Sequence, residues 1–231
     1  PRACHHRGKQ LQQRLLASKA RKNGAFVLNF ELLRENLDFL REFDEANLKA
    51  LKVKLNAYES LFHSFGKVHN ISHFKALEKE LVDSLKILDF KDLSGFKNAV
   101  DIGSGAGFPA LFLALILKTN FTLFEPNSKK AAFLMLVKSE LGLENVSVVK
   151  EKIERFKLKF KAQLITSRAL MSAPKLVGLC DGFFDENTLF LLYKGSKVYD
   201  ELKGFAKYEI AEFDKRKYVL IKAKNLSKKA I

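Results

Sequence analysis

Between Val100 and Leu115 the chain reads VDIGSGAGFPALFLAL, and this stretch narrows the choice of folds more than any other. A short apolar run meets Gly103, Gly105 and Gly107 at alternate positions, and an apolar helical pattern starts directly behind Pro109. Strand, glycine turn and helix in that order open an α/β sheet whose ligands bind at the carboxyl ends of the strands. Glycines there supply positive φ and let a ligand touch the backbone. The helix that follows offers unpaired N–H groups and the positive end of its dipole, and Pro109 suits its first turn. The dinucleotide fingerprint G-x-G-x-x-G requires a glycine at position 108, where this chain has Phe108, so a pyrophosphate ligand is disfavoured. Asp101 precedes the loop. Glu125 closes the next strand 22 residues beyond Gly103, a place from which an acid accepts hydrogen bonds from ribose hydroxyls.

The flanking sequence extends this unit. Strands are expected at Ala99–Ile102, Phe121–Phe124, Val146–Val149, Gln163–Thr166, Thr188–Tyr193, Phe205–Phe213 and Tyr218–Ala223, with helical patterns at Ala110–Lys118, Lys129–Leu141 and Pro174–Cys180. Such alternation gives a doubly wound, mainly parallel sheet with right-handed crossovers. Upstream the period is helical. Leu48, Leu51, Leu55, Tyr58, Phe62 and Phe65 form one stripe, with Asp44 as N-cap and Gly66 as terminator. Leu33, Leu37 and Leu40 predict a helix before it; Leu77, Leu81, Leu85 and Leu88 predict one after it, capped by Ser72. Residues 27–95 are therefore expected to form a small helical subdomain and residues 96–231 an α/β domain.

Charge points to a polyanionic partner. The net charge is +15 over 231 residues. Seven of the 41 basic residues fall in residues 1–26, a basic leader expected to be disordered, or to derive from expression engineering or start-site choice. The other 34, against 26 acids, still leave +8. Lys129, Lys130, Arg155, Lys157, Lys159, Lys161 and Lys194 are the candidate contacts to such a polyanion. Two cysteines, Cys4 and Cys180, are too few for a disulfide framework and fit a reducing cytoplasm. The longest apolar run, Phe108 to Leu117, is only ten residues, short of the about 20 that span a bilayer. Cys4, His5 and His6 lack a second ligand pair at zinc spacing, and no metal is expected.

VDIGSGAGFP, followed by LFEPNSKKAAFL, EKIERF, LITSRAL and LYKG, resembles the RsmG (GidB) family, bacterial S-adenosylmethionine-dependent methyltransferases of 16S ribosomal RNA. TSRAL and the upstream VHNIS and DSL elements carry the likeness beyond class I methyltransferases in general, and it extends from about Asn29 to Lys224. The resemblance implies a class I, Rossmann-like methyltransferase domain at 96–231. It implies methylation of a guanine N7 in the 530 loop (a G527-type site) of the small subunit, yielding 7-methylguanosine. A cytoplasmic monomer, with no metal and no membrane partner, is expected. For S-adenosylmethionine it implies Asp101, Gly103, Gly105, Gly107, Phe108, Glu125, Ile153, Glu154 and Arg168, the last also close to the substrate; Asn70, Ser72, Asp83 and Ser84 match elements of the helical part.

Guanine N7 carries a lone pair and no proton, so its methylation calls for in-line positioning and no general base; none is assigned. Phe108 is a candidate surface for stacking the base, and Arg168 for gripping a phosphate or carboxylate. Three competing readings are weighed. A nicotinamide oxidoreductase fits the shifted glycine badly. A non-catalytic RNA-binding module fits poorly with an intact Asp101, glycine loop and Glu125. A class I methyltransferase of another RNA would act on a proton-bearing nitrogen through an Asn/Asp-Pro-Pro-Tyr/Phe clamp, where this chain reads TSRALMSAP.

Overall fold

A computed structural model describes residues 28–69, 71, 76–157 and 159–226. The leader, Asn70 and Ser72 lie outside them. Among the described residues seven strands form one sheet in the order β3-β2-β1-β4-β5-β7-β6. Five are parallel: β1 (Asn98–Ile102), β2 (Asn120–Phe124), β3 (Val146–Val149), β4 (Leu164–Arg168) and β5 (Leu189–Lys194). The last two, β6 (Glu209–Phe213) and β7 (Arg216–Lys222), make a hairpin whose β7 runs antiparallel to β5. Helices α1 (Phe30–Asn36), α2 (Glu45–His69) and α3 (Leu77–Leu85) precede the sheet; α4 (Ala110–Ile116), α5 (Ser128–Glu140), α6 (Ala173–Leu179) and α7 (Val198–Glu201) are interleaved with it.

The strands are buried on both faces, and their side chains divide by alternation. In β5, Leu189, Leu191 and Tyr193 join one apolar cluster, while Phe190 and Leu192 join the other. The first cluster is continuous with the amino-terminal helices: Leu33, Leu55, Tyr58 and Leu81 share it with Leu111, Phe112, Phe133 and Leu164. The second lies under α6 and α7 and includes Val100, Ile165, Leu176 and Val198. The sheet is therefore doubly wound, as the alternation of patterns requires.

Four local expectations change. The stripe Leu33–Leu37–Leu40 is no single helix, because Leu37 is extended (φ −119°, ψ 99°) and a 3-10 turn, Asp38–Glu42, follows. Asp89 drives the break: its carboxylate accepts from the backbone N–H of Asp38 (3.0 Å) and Phe39 (2.8 Å), capping a new start from about fifty residues away in sequence. Leu88 likewise falls in a 3-10 turn, Lys86–Asp89, beyond α3. Gly66 does not stop α2, which continues to His69; Asp44 does cap it, accepting from the Asn47 N–H at 2.7 Å. The strand expected at Phe205–Phe213 shrinks to Glu209–Phe213, and Phe205 is a buried plug of the second cluster.

Candidate functional site

The parallel strands end on one edge, and the glycine loop starts there. Gly103 and Ser104 both donate to the Phe124 carbonyl, at 3.0 and 3.1 Å, which clamps the loop to β2. Two positions disfavour any side chain most strongly. Gly103 has φ +74°, and a Cβ there would meet Leu170 at 3.0 Å; Gly107 has φ +102°, and its Cβ would meet the Leu111 Cβ at 2.9 Å. The backbone is thus bare where a ligand would lie.

Two carboxylates set the chemistry of this edge. Glu125 is buried, and its two oxygens accept from the Gly105 N–H (2.8 Å) and the Asn127 N–H (2.9 Å). Each oxygen keeps a lone pair, so Glu125 can brace the loop and take ribose hydroxyls as well. Asp101 is 1 % exposed. One of its oxygens accepts from the Thr166 hydroxyl at 2.5 Å, while Oδ2 is buried and, among the described residues, has no hydrogen-bond partner. Burial pushes its pKa up to about 6, against the pull of the Ser104 and Thr166 hydroxyls and the Arg168 charge. A buried carboxylate with one open oxygen, beside a glycine cradle and a ribose-type acid, fits a cationic, ribose-bearing group such as S-adenosylmethionine.

A pH dependence follows from Asp101. Its folded pKa lies above the ordinary 3.8, so between about 3.8 and 6 the folded chain holds more protons than the unfolded one. The stability that this group contributes therefore rises as pH falls through that window. A cationic ligand prefers the ionised form. Its affinity is expected to be flat above about pH 7 and to drop towards tenfold per unit below about 6. Calorimetric titration of S-adenosylmethionine across this range checks it; Asp101→Asn should flatten the profile, and a flat wild-type profile refutes the assignment.

Phe108 differs from its expected stacking role, and Arg168 grips carboxylates as expected, though those of its own chain. The Phe108 ring is buried, stacked on Phe112 (4.7 Å between centroids) and edge-on to Tyr58 (5.9 Å), and the Arg168 guanidinium lies 4.8 Å from its centroid. Its faces are taken, so it serves as a core plug and offers no open platform for a base. Arg168 holds carboxylates of its own chain: it donates to Glu80 at 2.6 Å and Asp83 at 3.2 Å, both on α3. Asp83 accepts in turn from Arg216 Nε at 2.6 Å. Beneath this bridge the Tyr218 hydroxyl donates to the Asp83 carbonyl (2.9 Å) and the Tyr193 hydroxyl to the Ser84 carbonyl (2.7 Å). On α2, the buried Tyr58 hydroxyl donates to the Ala106 carbonyl in the glycine loop at 2.8 Å. The amino-terminal helices are thereby bolted onto the ligand edge of the sheet.

Ile153 and Glu154 sit in a 3-10 turn, Ile153–Arg155, behind β3 on the same edge, the first buried and the second exposed. Lys129 and Arg155 are exposed and Lys130 half-buried; the backbone N–H groups of Lys129 and Lys130 are capped by Asn127 at 3.0 and 3.1 Å. Lys194 does not belong to that basic surface. It is 7 % exposed, with its ammonium bonded to Glu201 (2.8 Å) and to the Met171 carbonyl. A buried cation must be paired, and Glu201 does the pairing. Three contributors gave no local signal. Tyr58 reads as one more apolar position of a stripe, and Glu80 and Arg216 read as ordinary solvated charges.

A family model described as rRNA small subunit methyltransferase G (GidB) matches residues 51–229. The chain is 48 % identical over 191 residues to the Ribosomal RNA small subunit methyltransferase G of Campylobacter jejuni subsp. jejuni serotype O:23/36 (strain 81-176), covering 83 % of this chain and 100 % of that one. It is 42 % identical over 173 residues to the protein of the same name from Helicobacter bizzozeronii, covering 73 % and 95 %. Among solved structures, a ribosomal protein L11 methylase from Lactobacillus delbrueckii subsp. bulgaricus superposes with a TM-score of 0.53 at 10 % identity, over 67 % of this chain and 82 % of that one. At that identity the likeness is one of fold.

Proposed function

Because the chain belongs to the rRNA small subunit methyltransferase G family, an S-adenosylmethionine-dependent one, we propose that it methylates a guanine N7 of 16S rRNA in the 530 loop of the small ribosomal subunit. The observation that carries this reading is the unsatisfied Asp101 Oδ2, buried beside the glycine cradle and Glu125. When bound, S-adenosylmethionine would supply an electrophilic methyl on a sulfonium, with the neutral thioether as leaving group once the carbon–sulfur bond breaks; a guanine N7 so methylated carries the positive charge. Asp101 would counter the cofactor's charge, Glu125 would hold its ribose, and the turn at Ile153 and Glu154 would flank its adenine.

Glu80 and Asp83 are held by arginines and Glu125 by backbone N–H groups, and a lone-pair target that carries no proton asks none of them to act as a base. N7 chemistry needs positioning and charge stabilisation. A-form RNA hides N7 in a deep groove, so the base must be unpaired or swung out. The exposed Lys129 and Arg155 supply phosphate attraction at the mouth.

The test is transfer of radiolabelled methyl to small subunits and to free 16S rRNA from a strain lacking its guanine-N7 methyltransferase, with nucleoside analysis. The expected product is 7-methylguanosine at a single position. Intact cofactor binding with no incorporation overturns the substrate.

A further inference from the structure

Behind the Arg168–Asp83–Arg216 bridge lies a cavity of about 210 Å³, between α3 and the β6–β7 hairpin. Lys79, Glu80 and Asp83 line it from the helix, and Phe213, Lys215 and Arg216 line it from the hairpin. We propose that this cavity seats an unpaired guanine of the substrate RNA, with the guanine N1–H and N2 amino group donating to Glu80. The proposal rests on the guanine reading above and specifies how that base is told from the others.

Position is the first support. Arg168 bonds Glu80 and Asp83 at the cavity wall while its guanidinium lies against Phe108 in the glycine loop. One side chain therefore connects the cavity to the methyl-donor edge. Size is the second. The volume lies below the about 300 Å³ at which pockets for drug-sized ligands begin, and suits a single heterocycle.

Charge is the third. The three cations Lys79, Lys215 and Arg216 face the three carboxylates Glu80, Asp83 and Asp214, over the buried Phe213 and Val82. A lining of balanced charge is a poor phosphate site, since a phosphate wants an excess of cations. It suits a ring that both donates and accepts above apolar side chains.

Bonding capacity favours Glu80 as the reader of the base. Asp83 has an arginine on each oxygen, Oδ1 with Arg216 and Oδ2 with Arg168, so a base edge would have to share both with guanidinium groups. Glu80 uses Oε2 for Arg168, and among the described residues Oε1 has no partner. The carboxylate is fixed through Oε2 by a 2.6 Å ion pair, and Oε1 is still able to accept. Guanine presents adjacent N1–H and N2–H donors; adenine presents a lone pair at N1, which a carboxylate repels. Methylation at N7 makes the ring cationic and its N–H groups stronger donors, so the same contact tightens as the reaction proceeds.

The experiment compares small subunits reconstituted with 16S rRNA carrying either guanosine or a single inosine at the target position. Inosine keeps N1–H and N7 and lacks the N2 amino group. Wild type should show a kcat/KM for inosine lower by roughly 10- to 100-fold, the effect of one hydrogen bond to a charged group. Glu80→Gln should lower kcat/KM on guanosine, leave the dissociation constant of S-adenosylmethionine within about twofold, and shrink the guanosine-to-inosine ratio towards one. An undiminished ratio in Glu80→Gln overturns the cavity assignment. No methylation of guanosine by wild type overturns the functional reading instead. Should the variant fail to fold, photo-cross-linking of wild type to RNA with 6-thioguanosine at the target decides. Adducts on Lys79–Asp83 or Phe213–Arg216 uphold the proposal, and adducts confined to other segments overturn it.

Discussion

Asp83→Ala is expected to cost about 3 kcal/mol of stability, which for a chain of this size lowers Tm by roughly 6–12 °C. Asp83 neutralises two arginines at once, Arg168 and Arg216, and its side chain is 15 % exposed against 14 % and 23 % for theirs. Removing the carboxylate leaves two largely desolvated guanidinium groups facing each other, with Glu80 the remaining acid for Arg168. Unpaired buried charge is among the costliest defects that a single substitution creates. Asp83→Asn keeps the shape and one acceptor and should lose about half as much. Thermal or denaturant unfolding of both variants checks the ranking; an Asp83→Ala protein as stable as wild type would show that the bridge contributes no net stability.

Gly107→Ala is expected to weaken S-adenosylmethionine binding at least about 100-fold, while Gly105→Ala weakens it far less. At Gly107 two penalties coincide. Its φ of +102° lies outside the left-handed region that other residues tolerate, and the added carbon would stand 2.9 Å from the Leu111 Cβ, an atom fixed to the α4 backbone. The loop has to move, and it carries the N–H groups that Glu125 and Phe124 hold in place. At Gly105 the φ of +58° is left-handed, but the nearest neighbour a Cβ would meet among the described residues, the Gly103 carbonyl, is 4.0 Å away, leaving a strain of about 1–2 kcal/mol. Calorimetric titration of the two variants separates steric exclusion from backbone strain. Equal losses would mean that close packing against α4 is irrelevant to the cradle.

How much of this was legible in the residues depends on range in sequence. The β1–loop–α4 unit was readable because strand period, glycine spacing and helical stripe are all local to Val100–Leu115. Glu125 was readable because its distance from Gly103 is fixed by one helix and one strand. The helix break at Leu37 was not, since it is made by Asp89. The pairing that removes Lys194 from the candidate RNA contacts was not legible either, because nothing in LYKG announces Glu201. Phe108 looked like an exposed aromatic beside a ligand loop, and only the packing of Tyr58 and Phe112 shows that its ring faces inward. Charges and rings acquire their roles from partners that the chain brings back late, and single-segment patterns hold no record of those.

The hydroxyl of Tyr58 on the Ala106 carbonyl and the guanidinium of Arg168 on Phe108 tie the amino-terminal helices to the cradle itself. Thermodynamic linkage then governs the two ligands. If filling one side changes the affinity of the other by some factor, the effect in reverse has the same factor. An RNA that orders α3 would tighten cofactor binding, and exchange of spent cofactor for fresh would be felt as a change in grip on the RNA. Cooperativity between the two substrates would then need no moving lid, only a shared set of rigid contacts.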